Sequence, residues 1–458
     1  MYPTAAPFFV FLVAVCVLYW AASNWRPLRL AVLLIASLFF IAKFGLGCLI
    51  LAPAAATLDF FLALGIGRFK AGGVRRLLLG CSLLLNVGLL ALAKGTGNRL
   101  NWLFTLSLSY YCFQQLSYTV DIFRGDAEPT SDFLNYISAA TFFPVITAGP
   151  INRLADLIDK LRKPFVLDDQ RGARALLLIA SGLIKKLMIA QFLADNLVNT
   201  FLDTPKLYSG FEVLVAVWGY AFQLYYDFSG YTDIAMGAAL LLGIKVPENF
   251  RRPYFAKDIS DFWHRWHITF SEWLRDYVYY GLLPSFLPAE RSWSGAKFVF
   301  PILTMLLGGL WHGFAWTFVV WGAMHGVMLA ITRGWQDWRK RGRRKSTTAG
   351  RWVAIFLTFH FVCASWVFFR ADSIADAFGV FSRIGSFTFA VDHISLAILG
   401  YLAAAIALHA APEGWFERAV GVFARTPFLV QGAALAGLVL ALQAFAGKGA
   451  APFAYSRF

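Results

Sequence analysis

Charge is scarce in this 458-residue chain. Asp, Glu, Lys and Arg supply 15% of it, 59% is hydrophobic, and the mean hydropathy is +0.61. A soluble globular domain carries about a quarter of its residues as charges, so that class is excluded. Cysteine is scarce too: Cys16, Cys48, Cys81, Cys112 and Cys363 stand singly in apolar segments. They have neither metal-ligand spacing nor a compact disulfide pattern, and they read as packing residues. No internal repeat or low-complexity linker is present, which favours one integral domain over residues 1–458. The missing repeat also weighs against a proton-coupled transporter or flippase, whose halves commonly echo each other. No G-x-S-x-G elbow occurs, and "DFSG" at 227–230 lacks the strand-to-helix setting of a serine nucleophile. No basic residue precedes the first apolar run, and Arg26 and Arg29 follow it. That order predicts a retained first helix with its amino end outside rather than a cleaved signal.

Long apolar runs fill the rest. They recur near 5–22, 30–52, 77–93, 102–120, 174–200, 208–244, 297–332, 351–369, 394–412 and 428–446. A helix needs about 20 apolar residues to span hydrocarbon, and several of these runs are too long or too short for one crossing. The expectation is an all-α integral membrane protein with about 10–12 spanning helices plus re-entrant or interfacial pieces. The 41 Lys and Arg exceed the 26 Asp and Glu, a formal +15, and are densest in "RGWQDWRKRGRRK" at 333–345. Between two apolar helices such a cluster reads as a cytoplasmic loop on anionic lipid rather than a nucleic-acid site.

Three stretches interrupt the apolar pattern, near 121–172, 245–296 and 333–350. Projected at 100° per residue, 258–283 places Phe262, Trp266, Phe270, Trp273, Tyr277 and Tyr280 on one face. Asp261 and Arg265 then form an i,i+4 pair on a flank. A single helix of this kind suits the membrane interface, with His267 beside Trp263, Ser271 and Leu274 and available to a cavity. Pro247 and Pro253 make the preceding "IKVPENFRRPYF" a loop. Upstream, "YYDFSGYTDIAMG" sets Asp227 and Asp233 in an apolar run, with Gly230 between them marking a kink or a close helix approach.

Of seven histidines, His360, His393 and His409 read as core residues bonded to neighbouring helices, and His264 as one facing headgroups or packed on its helix. His312, in "LLGGLWHGFAWT", differs because glycines at 308, 309 and 313 permit a bend or a close neighbour. An imidazole there can take a proton from a hydroxyl and return it to a leaving group, as acyl transfer requires; a structural polar residue is the alternative. His325 lies 13 residues on, about 20 Å along a regular helix and on another face, so it shares no reacting atom with His312 unless the helix is broken. His264 and His267 at i,i+3, with Asp227 or Asp233, do not complete a recognisable metal set, and no metal is expected.

The ordered blocks "YYDFSGYTDIAMGAALLLGI", "PENFRRPYFAKDISDFWHRWHITFSEWLRDYVY" and "LLGGLWHGFAWTFVVWGAMHG" resemble the membrane-bound O-acyltransferases, in particular the alginate O-acetylation branch. "FQQLSYTVDIFRG" (113–125), "FFPVITAGPINR" (142–153) and "GLIKKLMIA" (182–190) extend the resemblance over about 105–332. It implies a ring of tilted helices around a tunnel, His312 as the catalytic base with Trp311 beside it, and His267 orienting or polarising thioester or acceptor. Ser271, Arg275, Asp227 and Asn249 are further tunnel candidates. It also implies a cytosolic acyl donor, acetyl-coenzyme A, used as substrate with no tightly bound cofactor. The implied acceptor is a hydroxyl of an exported polysaccharide at a bacterial cytoplasmic membrane, reached through a polysaccharide synthase complex or an SGNH-like esterase partner. D-alanyl transfer to teichoic acid from a carrier-protein thioester is the sister reading, and a non-catalytic anchor for such partners another. Where the family shows a Gly-Gly-Asn-Arg turn, this chain has "PSFLPAERSWSG" at 284–295.

Overall fold

The computed structural model describes residues 3–69, 72–95, 108–163, 167–282, 295–341 and 347–445. No strand occurs among them. The divergent loop at 284–294 and the end of the basic cluster, 342–346, lie outside the described residues.

The helices run in chain order as α1 (Ala6–Ala21), α2 (Arg26–Ala42), α3 (Leu46–Arg68), α4 (Gly73–Gly95), α5 (Leu108–Arg124), α6 (Phe133–Ala140), α7 (Leu154–Arg162) and α8 (Asp169–Asp203). Then come α9 (Gly210–Leu241), α10 (Ile259–Trp263), α11 (Ile268–Trp273), α12 (Ala296–His312), α13 (Trp316–Arg341), α14 (Thr348–Arg370), α15 (Ile374–Ile384), α16 (Leu396–Ala410), α17 (Glu413–Arg425) and α18 (Phe428–Phe445). Two π-helical stretches, Ile184–Ala190 and Ala194–Val198, interrupt α8, and another, Leu274–Leu282, continues α11. Among the described residues four helices, α3, α4, α8 and α14, are long and apolar enough to cross a membrane, and the pair α16–α17, bent by 86°, makes a fifth if counted as one span. The apolar run at 297–332 is divided at Gly313 into α12 and α13. By contrast, α9 passes through Gly230 without a break in the helix.

The described residues fall into two compact units. The first takes the chain to Leu183 with Tyr231–Glu248 and Glu417–Val439. Lipid offers no hydrophobic drive between helices, so polar contacts and close packing hold them. Here the buried Asp59 of α3 accepts from Ser82 and Asn86 of α4, both at 2.7 Å, and Ser82 lies 3.0 Å from Thr119 of α5. Phe8, Phe40 and Phe143 form an aromatic cluster beside this network's helices, with ring centroids 5.8–6.5 Å apart.

The second unit takes Ile184–Gly230 and Asn249–Phe416 with the chain beyond Leu440. Its centre is a set of fully buried indoles: Trp366 of α14 lies 5.0 Å from Trp266 and 6.0 Å from Trp321 of α13. Such ring pairs each contribute about 0.5–1.5 kcal/mol beyond burial. The antiparallel hairpin α12–α13 is drawn together by glycines on both helices. A Cβ at Gly326 would stand 2.6 Å from the Cα of Ile302, and one at Gly309 or Gly322 would overlap the carbonyl oxygen of Phe318 or Met305. The close approach expected of the 308–313 glycines is therefore real, and for Gly309 and Gly313 its partner is the next helix in the chain.

Candidate active site

Residues 258–282 do not form one interfacial helix. α10 stops at Trp263, and His267 takes a left-handed backbone (φ +43°) before α11 begins. Tertiary bonds impose the break. The Asn249 carbonyl accepts from Ile268 N at 2.9 Å, the Arg265 carbonyl accepts from Arg251 N at 2.8 Å, and Asn249 Oδ1 accepts from Thr269 N at 3.3 Å. The loop 249–251 thus caps the new helix start, which otherwise has orphan N–H groups. The expected pair Asp261–Arg265 does form, at 2.7 Å. The aromatic face is packed inside the unit rather than laid on an interface: Phe262, Trp266, Phe270, Trp273 and Tyr277 are buried, and only Tyr280 of that set is exposed.

Both ends of this segment are bonded to one stretch of α13. Asp258 accepts from Gln336, and the Tyr279 hydroxyl from Arg333, one turn earlier on α13. A straight helix from 258 to 279 would separate its ends by roughly 30 Å. The break at His267 interrupts the path between them.

His312 ends α12, 3% exposed, and His267 is 1% exposed. The two share a pair of rings. Trp311 has its centroid 4.4 Å from His312 and 6.3 Å from His267; Phe270 stands 6.2 Å and 5.0 Å from the same imidazoles. Phe369 of α14 (4.8 Å), Trp321 (5.2 Å) and Phe318 (6.0 Å) complete the rings around His312, while Phe228 of α9 lies 4.8 Å from His267. Asn249, 1% exposed, holds His267 through Oδ1, 3.0 Å from Nδ1.

The other candidates disperse. Ser271 Oγ donates back to the carbonyls of Trp266 and His267. Arg275 is half-exposed and paired with Asp276 at 2.8 Å. Asp227 neighbours Phe228 but is bonded to Lys186 of α8, a buried ion pair that the sequence did not announce. Asp233 accepts from Ser181 at 3.3 Å. His264 is exposed and bonds the Ser260 carbonyl, so it does not share a site with the buried His267.

His325 is nearer His312 than a regular helix allows, since the chain breaks at 313–315: both imidazoles contact Trp321, at 4.8 Å and 5.2 Å. Its Nε2 lies 2.9 Å from Ser365 Oγ, which already donates to the Val362 carbonyl, so Nε2 is the donor. His409 is the expected core histidine, its Nε2 accepting from Tyr254 N at 3.2 Å. His360 bonds its own helix at Phe356 O, and His393 is not core: it is half-exposed, bonded to the buried Glu212 at 3.2 Å. Among the described residues no group of three or more His, Cys, Asp or Glu stands close enough to hold a metal.

The sequence itself has informative relatives. The profile of the MBOAT, membrane-bound O-acyltransferase family matches residues 127–370, which include both histidines and Asn249. A protein of Azotobacter vinelandii named "Probable alginate O-acetylase AlgI" is 38% identical over 287 residues, 62% of this chain and 54% of that protein. This chain therefore spans about half of that relative's length. Its counterpart of the same name in Pseudomonas aeruginosa is 33% identical over 392 residues, 81% of this chain and 71% of that one. A "Peptidoglycan O-acetyltransferase" of Helicobacter pylori is 32% identical over 388 residues, covering 76% and 72% of the two. By the extent of the profile and of these alignments, the chain belongs to the membrane-bound O-acyltransferase family.

Proposed function

We propose that this multi-pass membrane protein is an O-acyltransferase, specifically an O-acetyltransferase. It takes an acyl group from acetyl-coenzyme A on the cytosolic side of a bacterial cytoplasmic membrane. The acceptor is a hydroxyl of an exported polysaccharide, or of an SGNH-like protein outside that relays the group. The observation that carries the reading is the pair of buried imidazoles, His312 and His267, both against the shared Trp311 and Phe270 rings.

Their placement supports access from two faces. From Trp316 to Arg333, α13 covers about 26 Å, close to the hydrocarbon thickness. With the basic end of α13 in the cytosol, the turn after His312 lies toward the outside, and Phe314 and Trp316 there are exposed. The segment bearing His267 has both ends tied to the basic end of α13. The acceptor hydroxyl then approaches His312 from outside while the thioester comes past His267 from the cytosol, along a tunnel between the helices.

In the reaction, His312 accepts the hydroxyl proton as the oxygen attacks the thioester carbon. The tetrahedral intermediate collapses, the carbon–sulfur bond breaks, and the imidazolium returns the proton to the departing thiolate. The carbonyl-rich end of α12 stabilises the imidazolium formed between the two transfers. His267 orients the thioester or the acceptor, and the surrounding rings exclude water.

The test is acyl transfer by protein in lipid nanodiscs supplied with radiolabelled acetyl-coenzyme A and a glycan acceptor, together with mass analysis of glycans from cells with and without the protein. His312→Ala should lower transfer about 10²–10⁴-fold. A properly inserted His312→Ala protein with full transfer would overturn the assignment.

A further inference from the structure

The geometry points to Asn249 as a positioning residue that makes His267 a hydrogen-bond acceptor at Nε2. Asn249 Oδ1 lies 3.3 Å from the backbone N of Thr269, 2.9 Å from Thr269 Oγ1 and 3.0 Å from His267 Nδ1. A backbone N–H can only donate, so the amide atom facing it is the oxygen. An oxygen facing Nδ1 requires that Nδ1 carry the proton, and the lone pair of the neutral imidazole is then on Nε2. The same residue, through its main-chain carbonyl 2.9 Å from Ile268 N, holds the helix start that follows the left-handed His267. Non-glycine residues avoid that backbone region, so the ring's direction depends on this clamp.

Phe228, Phe270 and Trp311 pack their rings around the imidazole, and Asp227, next to Phe228, is bonded to Lys186. One consequence refines the expectation that His267 polarises the thioester. A neutral His267 bonded to Asn249 has no proton to offer at Nε2, so it engages a donor instead: the acceptor alcohol or an amide N–H of the coenzyme arm. The Nδ2 of Asn249 is buried with no hydrogen-bond partner among the described residues, leaving the far side of the amide free for a substrate oxygen or a water.

This inference rests on the reading that His267 serves transfer, and the experiment separates the two. Histidine ¹⁵N spectra of the full-length protein in nanodiscs, with the His267 signal identified by its loss in His267→Gln, report which ring nitrogen is protonated. Wild type should show Nδ1–H with a lone pair on Nε2. Asn249→Ala should lose that preference and lower transfer about 100-fold. Asn249→Asp keeps both the cap and the acceptor oxygen, so it should restore the Nδ1–H tautomer. Its carboxylate also favours the imidazolium, which should move the acid limb of the transfer pH profile upward. A cap that served folding alone would leave that limb unmoved. If Asn249→Ala fails to insert, the wild-type spectrum and the Asp variant still decide. An Nε2–H wild-type tautomer, or an unmoved profile in Asn249→Asp, overturns the inference while an inactive His267→Gln keeps the functional reading. A fully active His267→Gln overturns that reading itself.

Discussion

Gly309 of α12 lies against the main-chain carbonyl of Phe318 in α13 so closely that a Cβ added at 309 would overlap that oxygen. Its neighbour Gly308 faces a different surface, where the nearest atom to an added Cβ is Leu274 Cδ1 at 3.2 Å. A flexible side chain can give way and a helix backbone cannot. Gly309→Ala should therefore destabilise by about 1–3 kcal/mol or more, and Gly308→Ala by well under that. Thermal melts in detergent check the order, and equal shifts for the two variants would contradict the hairpin geometry.

Trp311 offers a second, more local test. Its ring touches both imidazoles, so its removal loosens each by a different route. Trp311→Phe keeps a ring and should retain most transfer. Trp311→Ala should lose about 100-fold, since small displacements of reacting groups are that costly. Parallel melts separate this from the about 3–5 kcal/mol that an emptied indole site costs. Equal activity in the two variants would show that the ring does not orient the histidines.

A pH effect on stability should arise in the first unit, at Asp132. Asp132 caps α6 and pairs with Arg26 at 2.8 Å. Burial pushes its carboxyl up, but the Asn135 N–H and the Arg26 guanidinium outweigh it and hold it below the ordinary value of 3.8. A carboxyl lowered on folding stabilises above its unfolded value, and that contribution is lost as the pH falls through the folded one. The melting temperature of wild type should thus fall more steeply below about pH 4 than that of Asp132→Asn. The difference should be small, because both side chains are about a third exposed and solvent screens the pair. Parallel pH curves for the two proteins would exclude this contribution.

The readability of the sequence differed from residue to residue. Membrane character followed from apolar length alone, and the 308–313 glycines announced a close neighbour because glycine is the only residue that permits such contact. Periodicity placed Asp261 opposite Arg265 correctly, since a single turn is a local property. The same projection failed two residues later. His267 is turned out of the helix by Asn249, 18 positions upstream, and no local pattern encodes a cap supplied by another segment. With His267 left-handed and outside α11, a projection carried from it onto Arg275 has no common helix axis. The approach of His312 and His325 to Trp321 depended on where the 297–332 run breaks, and hydropathy does not mark a break flanked by apolar residues on both sides.

The ion pair of Lys186 and Asp227 is the clearest case of a feature hidden from the sequence, because its members are 41 positions apart in two different helices. Both side chains are nearly inaccessible, at 6% and 10% exposure. Charges at such depth are costly singly and tolerable together, so the pair constrains how α8 meets α9. Breaking it from either side, in Lys186→Met or Asp227→Asn, should destabilise by about 3–5 kcal/mol, whereas the double variant should recover much of that loss. Phe228 carries the register of α9 onto the His267 ring, so the single variants should also lower transfer. Melts and transfer assays on the three proteins read both effects. A double variant no more stable than the worse single would mean that the two groups do not neutralise each other.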